Sequence, residues 1–149
     1  MSDYRQIEQQ LNRSLATHGG WAGSLHSQLT CTIIGAAIAV HRELGPCKLE
    51  SVYERALAIE LRARAVPFCA QVPIPMLYHG ESVGDFFADL IVDRKVIVEL
   101  KAVDALRGVH RAQLLSYLRA TGLELGLLIN FNVRVLKDGV RRLIQSRVR

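Results

Sequence analysis

Asp89-Leu90-Ile91-Val92-Asp93-Arg94-Lys95-Val96-Ile97-Val98-Glu99-Leu100-Lys101 reads as two apolar strands joined by a charged turn. Strand side chains alternate, so Ile97, Glu99 and Lys101 share one face. A three-residue loop over Asp93, Arg94 and Lys95 pairs Val92 with Val96 and sets Asp89 opposite Glu99. Opposed positions lie ~5 Å apart at Cβ, and like charges there destabilise a sheet. Two carboxylates and a lysine embedded in apolar strands therefore call for a compensating cation. Mg²⁺ (or Mn²⁺) fits, because Mg²⁺ takes oxygen ligands at ~2.1 Å and keeps several waters.

The pattern upstream is helical. From about Ser27 to Leu44, Cys31, Ile34, Ile38 and His41 form one stripe, and Gly45-Pro46 ends it. A second helix is expected from about Leu49 to Ala65, with Val52, Ala56, Ile59 and Ala63 on one face. Glu50, Tyr53 and Leu57 line an adjacent face. Pro67 breaks this helix. Phe68 to Tyr78 then alternates, with Pro73 and Pro75 on one side, the mark of an edge strand. His79 to Ser82 is a turn, and Val83 to Val92 and Val96 to Ala102 are the next strands.

Downstream, Val109 to Thr121 is a helix with Leu114, Leu115 and Leu118 inward and Gly122 as its C-cap. Leu125 to Phe131 is a buried strand, and Val133 to Leu136 reads as a further one. A strand meander followed by a helical crossover into a buried strand gives an α/β (α+β) three-layer domain. Residues 1–27 read as an appended arm, with Ile7, Leu11 and Leu15 at helical spacing before a glycine-rich break around Trp21. The domain proper is expected over 28–149.

The 149 residues suit one domain with a real core. Half are hydrophobic, which excludes a disordered chain. The net charge of +5 suits a polyanionic partner. It is uneven: Arg134, Lys137, Arg141, Arg142, Arg147 and Arg149 face a single acid, Asp138, at the C-terminal end. That stretch is either a phosphate-facing surface, with Arg141 and Arg142 as contacts, or a solvated terminal helix. Cys31, Cys47 and Cys69 have no Cys-x-x-Cys spacing and are odd in number. They read as buried reduced thiols in a cytoplasmic protein rather than a disulfide framework or zinc site. The polar N-terminus and the shortness of the run Ile33–Val40 argue against a signal peptide and a membrane span.

The chemistry that the residues suggest is phosphodiester hydrolysis. Asp89 and Glu99 would hold the metal, and Lys101 would orient the nucleophile or neutralise charge developing on phosphorus. Asp-x9-Glu-x-Lys alone is a weak pattern, and its competitor is a surface strand with a Glu-Lys pair. Burial of the flanking strands favours the site, since uncompensated charges are rare there. Glu50 could reach the same cation, or could merely favour the positive end of its helix. Gln113 and Tyr117, four apart on a helix, could meet a phosphate or form an ordinary amphipathic boundary. Tyr53 is a possible phosphate contact against the commoner packed aromatic. His110 reads as polar surface. No P-loop, dinucleotide loop, His-Glu-x-x-His or Gly-x-Ser-x-Gly is present.

These residues together resemble the PD-(D/E)XK nuclease superfamily, and Gln113-x-x-x-Tyr117 resembles the motif that follows the active site in its RecB-type exonuclease branch. More closely, Ile34 to Leu143 resembles the bacterial GxxExxY proteins of that superfamily. The segments that carry this are His41 to Pro46, Leu49 to Glu54, Val96 to Ala102 and Leu127 to Asn132. The resemblance implies a restriction-endonuclease-like αβββαβ core with a mixed central sheet and the metal site at its centre. It maps Glu50 onto the helical glutamate that assists the metal, and it raises Gln113 and Tyr117. Two departures stand out. The glycine that opens the naming motif is Cys47 here, a strained choice if the turn needs φ > 0. A basic residue two before the aspartate is replaced by Phe87.

Three functions follow as expectations. The first is a Mg²⁺- or Mn²⁺-dependent nuclease acting on nucleic acid, with DNA favoured. The second is a nucleic-acid-binding module of nuclease ancestry that does not cut. The third is a partner-binding subunit. The small size of the chain makes a homodimer or a partner subunit reasonable.

Overall fold

The computed structural model describes residues 24–146. Almost all of the expected arm, with Ile7, Leu11, Leu15 and Trp21, lies outside the described residues, as do Arg147 and Arg149. Helix α1 (Ser27–Leu44) ends where Gly45 takes φ 68° and its N–H returns to the His41 carbonyl. Helix α2 (Glu50–Ala63) follows. Strands β1 (Phe68–Ile74), β2 (Leu77–Tyr78), β3 (Glu81–Ser82), β4 (Phe86–Val92) and β5 (Val96–Lys101) come next. Helix α3 (Gly108–Thr121) crosses over to β6 (Leu125–Asn130), and a short 3₁₀ turn (Leu136–Gly139) leads into β7 (Val140–Ile144).

The five-stranded sheet has the order β1-β4-β5-β6-β7, and β2-β3 form a separate ribbon. β5 and β6 are parallel, joined by α3; every other pair in the sheet is antiparallel. This is a mixed sheet flanked by helices, with the αβββαβ core running from α2 to β6. β1 lies at the edge, as Pro73 within it favours. One core fills the space between the sheet and α1 with α2, around Ile33, Tyr53, Leu57, Val98 and Leu127. The other lies under α3, around Ile97, Leu114, Leu118 and Leu128. Ile97 and Val98, adjacent in β5, point to opposite cores, as the alternation dictates.

Of the two α2 faces read from the sequence, the buried one is that of Tyr53 and Leu57, with Ala58 and Leu61, while Val52 and Ile59 are exposed. The helix carries two apolar stripes, and the one with the larger side chains faces the core. Several other expectations need correction. Residues 133–136 do not form a strand. The chain bends, and Gly139 passes so close to the Asn130 carbonyl that a Cβ there would overlap it. The last strand falls at Val140–Ile144, within the basic stretch read as a surface or a helix. Its Val140 joins the α1–α2 core and Leu143 the α3 core, and the arginines between them hide the alternation. The cysteines are free thiols, but Cys47 and Cys69 are exposed rather than buried. Among the described residues no helix is long and apolar enough to cross a membrane.

Candidate active site

The hairpin from β4 to β5 forms as the charged turn predicts. Val92 pairs with Val96, Ile91 with Ile97 and Leu90 with Val98. Continuing that register sets Asp89 opposite Glu99, but the ladder stops one pair short. Each carboxylate instead takes a backbone N–H of the other strand. The Asp89 N–H donates to Glu99 Oε1 at 3.0 Å, and the Leu100 N–H donates to Asp89 Oδ2 at 2.8 Å. Side chains thus replace the ladder where the two strands part.

The cause lies partly in β1. Phe68 packs on the α1–α2 core, whereas Val72 and Ile74, an even number of residues away, pack on the α3 core. β4 does the same: Leu90 and Val92 join the first core and Ala88 the second. A regular strand cannot do this, since its faces alternate strictly. Gln71 has φ 49°, and the pairs Ala70–Leu90 and Val72–Ala88 place it across from Asp89. The β1–β4 ribbon turns over at this pair, which carries Asp89 to the rim of the sheet.

Gln71 also joins the site chemically. Its Nε2 donates to both Glu54 carboxylate oxygens at 2.9 Å and makes a longer contact of 3.4 Å to Asp89 Oδ1. Gln71 and Glu54 were not singled out from the sequence. A positive φ at a glutamine leaves no sequence signal. Glu54 did have one, since it lies four residues after Glu50 and so on the same helix face.

Glu99 is 3% exposed. Burial and then the neighbouring Asp89 carboxylate push its pKa up to about 8, against the lowering effects of the Asp89 N–H and Lys101. Glu50 begins α2, and the residue is exposed. Partial burial of its carboxyl still raises its pKa; Lys101 opposes this, and Asp89 and Glu54 add to it. Glu50 thus feels the charges of the site without touching its carboxylates. Lys101 Nζ donates to Gln113 Oε1 at 3.0 Å, and Gln113 Nε2 donates to the Tyr117 hydroxyl at 3.2 Å. The pair from α3 therefore meets the lysine from β5. Tyr117 is 3% exposed and packs edge-on to Phe86 with ring centres 6.5 Å apart. Burial raises its pKa; the Gln113 contact lowers it, and Glu99 and Asp89 raise it further.

Asp89, Glu99, Lys101, Gln113 and Tyr117 thus come together, with Glu50 beside them. Tyr53 does not join. It is fully buried, stacked on Phe131 at 4.4 Å, and its hydroxyl donates to the Gly45 carbonyl at 2.6 Å while accepting from the Lys48 N–H at 3.1 Å. It latches the turn between α1 and α2, a packing role that leaves nothing to offer a phosphate. Arg141 and Arg142 separate. Arg142 lies on the α1 side and donates to the Leu25 carbonyl at 2.8 Å, and burial lowers its pKa. Arg141 pairs with Leu128, itself the neighbour of Glu99, so it shares the Glu99 face two strands away, ~10 Å. It is exposed and bonds the Asp138 and Val140 carbonyls. His110 caps α3, its Nδ1 accepting the Arg107 N–H at 3.0 Å. Cys47 has φ 67°, so the turn does need the left-handed region.

The donor set is all oxygen, which suits a hard divalent cation such as Mg²⁺ or Mn²⁺. Asp89 and Glu99 form the nucleus, and their mutual repulsion is what a cation between them would reverse. Among the described residues no three His, Cys, Asp or Glu side chains gather closely enough to hold a metal by themselves. A two-carboxylate site completed by water and phosphate oxygens is the ordinary arrangement for Mg²⁺. The residues present therefore fit the ion.

Neither a comparison with curated proteins nor one with solved structures found a match. A scan against protein families found one whose description is the PD-(D/E)XK nuclease superfamily, matching residues 27–143. That span takes in every member of the Asp89, Glu99, Lys101, Gln113 and Tyr117 cluster, and the chain belongs to the PD-(D/E)XK nuclease superfamily.

Proposed function

We propose that the protein is a divalent-metal-dependent nuclease that hydrolyses phosphodiester bonds in nucleic acid, with DNA as the favoured substrate, and that it is one of the GxxExxY proteins. The observation that carries this is the cluster itself. A superfamily member brings two adjacent carboxylates and a lysine together at the point where β4 and β5 part, with Gln113 bonded to that lysine. An inactive descendant has no need to bury Glu99 against Asp89 at the cost of a pKa of about 8.

A divalent ion held there would supply Lewis acidity toward a phosphate oxygen and a nucleophilic water at neutral pH. The chain's own residues do the rest. Asp89 is held through both oxygens, by the Leu100 N–H and by Gln71, so its carboxylate is fixed before substrate arrives. Lys101 is held by Gln113 and places a positive charge where negative charge grows on the phosphate. Tyr117 is buried and braces Gln113, which makes it a positioning residue. Glu50 stands at the mouth as an auxiliary acid.

The test is cleavage of single-stranded and duplex DNA and RNA with Mg²⁺ or Mn²⁺, beside Glu99→Ala and Lys101→Ala. Wild type should cut, and both variants should lose at least 100-fold while keeping the wild-type circular dichroism. Calorimetry should show Mn²⁺ binding lost in Glu99→Ala. Cleavage surviving in Glu99→Ala would overturn the mechanism. Nucleic-acid binding without cleavage by wild type would support the silent module instead.

A further inference from the structure

We propose that Phe87 is a stacking platform for an unpaired nucleobase, so that the strand entering the site is single-stranded nucleic acid; this rests on the nuclease reading above. Phe87 lies two residues before Asp89 in β4, ~7 Å along the strand. The β4–β5 ladder ends at Leu90–Val98, so Phe86 and Phe87 lie beyond the last pair, on the part of β4 that follows the carboxylates out of the ladder. Phe87 is 46% exposed.

Its surroundings hold it there. The β1 residue across from it is Pro73, itself exposed, which stiffens the edge. Phe86, next along the strand, is braced from two sides. Its ring meets Tyr117 edge-on, and a Cβ at Gly84 would lie only 2.8 Å from it. Through Tyr117 and Gln113 that ring is continuous with Lys101. Phe87 alternates with Phe86, so its ring leaves the face of β4 turned away from Tyr117, an exposed ring on an anchored support two residues from Asp89.

The kind of nucleic acid follows from the chemistry of stacking. Bases within a duplex already have both faces covered, whereas an unpaired base offers a free π face to an aromatic side chain. Such stacking tolerates any base, so the platform selects for strand state rather than sequence.

The experiment is fluorescence anisotropy in EDTA with a labelled single strand, the same strand carrying abasic positions, and a blunt duplex. The full chain, Phe87→Ala and Phe87→Trp are compared. Phe87→Ala should weaken single-strand binding about tenfold. Phe87→Trp should retain it, and the alanine effect should shrink below twofold on the abasic strand and on the duplex. Wild type that binds the single strand while Phe87→Ala binds it equally well overturns the platform alone. An equal loss on single strand, abasic strand and duplex also overturns it. Wild type that neither binds nor cuts any of these DNAs or their RNA counterparts overturns the nuclease reading itself.

Discussion

Replacing Glu99 by glutamine should make the metal-free protein more stable at alkaline pH, although it removes a residue proposed to be essential. Glu99 has an ordinary value of 4.5 and is pushed up to about 8 by burial and by Asp89. A carboxyl whose folded pKa is raised keeps its proton in the folded state while the unfolded chain has lost it. Between pH 4.5 and about 8 the folded state therefore binds more protons, and stability falls as pH rises through that window. The full cost above pH 8 is about 5 kcal/mol, and at pH 7 about 3 kcal/mol. Asp89 shares that repulsion, so these are upper values. Glutamine keeps an oxygen for the Asp89 N–H and offers an amide donor to the Asp89 carboxylate. Urea unfolding in EDTA at pH 5, 6.5 and 8 tests this. Wild type should lose about 2–4 kcal/mol across the series, and Glu99→Gln should lose far less and be the more stable at pH 8. Parallel pH profiles for the two proteins would refute the reasoning, because the strain would then not lie at Glu99.

The Gln71 clamp predicts a loss of metal affinity without a loss of fold. Asparagine accepts the left-handed φ of 49° but is too short to reach Glu54, so Gln71→Asn should weaken Mn²⁺ binding about tenfold while the melting temperature holds. Unchanged affinity by calorimetry would reduce Gln71 to a backbone role. At Cys47, φ 67° favours glycine, and Cys47→Gly should stabilise the protein by about 1 kcal/mol in urea unfolding. A loss of stability would mean that the contact of its thiol with Asn132, at 3.4 Å, outweighs the backbone strain.

The β4–β5 hairpin was legible because its alternation and charged turn are local, and they set which residues share a face. α1, α3 and the edge position of β1 were legible for the same reason: helical spacing, Gly122 and the prolines act within a few residues. Asp89, Glu99 and Lys101 could be proposed as a group from one stretch, and Gln113 and Tyr117 from one helix face. What escaped depends on distant partners. Which stripe of α2 faces inward is decided by Phe131, on which Tyr53 stacks, far along the chain. Strand β7 was hidden because its two arginines leave from opposite faces of the sheet. The turnover at Gln71 was hidden because it shows only as a positive φ and a change of core between alternate residues.

The end of β6 explains why an uncharged segment belongs to the site. Asn130, 2% exposed, accepts the Val103 N–H at 3.1 Å and donates to the Val103 carbonyl at 2.9 Å, which fixes the chain as it leaves Lys101. The Phe131 N–H donates to the Lys101 carbonyl at 2.9 Å, and its ring stacks on Tyr53. Asn132 accepts the Cys47 N–H at 3.2 Å, in the turn that starts the helix of Glu50. Three successive residues thus hold the backbone of Lys101 and the turn that precedes Glu50. Buried polar groups matched this fully rigidify what they join. The Lys101–Glu50 spacing is therefore set from a strand that contributes no charge to the site. A substitution at Asn130 should act on Lys101 without touching it, because the partly buried Val103 N–H and carbonyl would lose their partners.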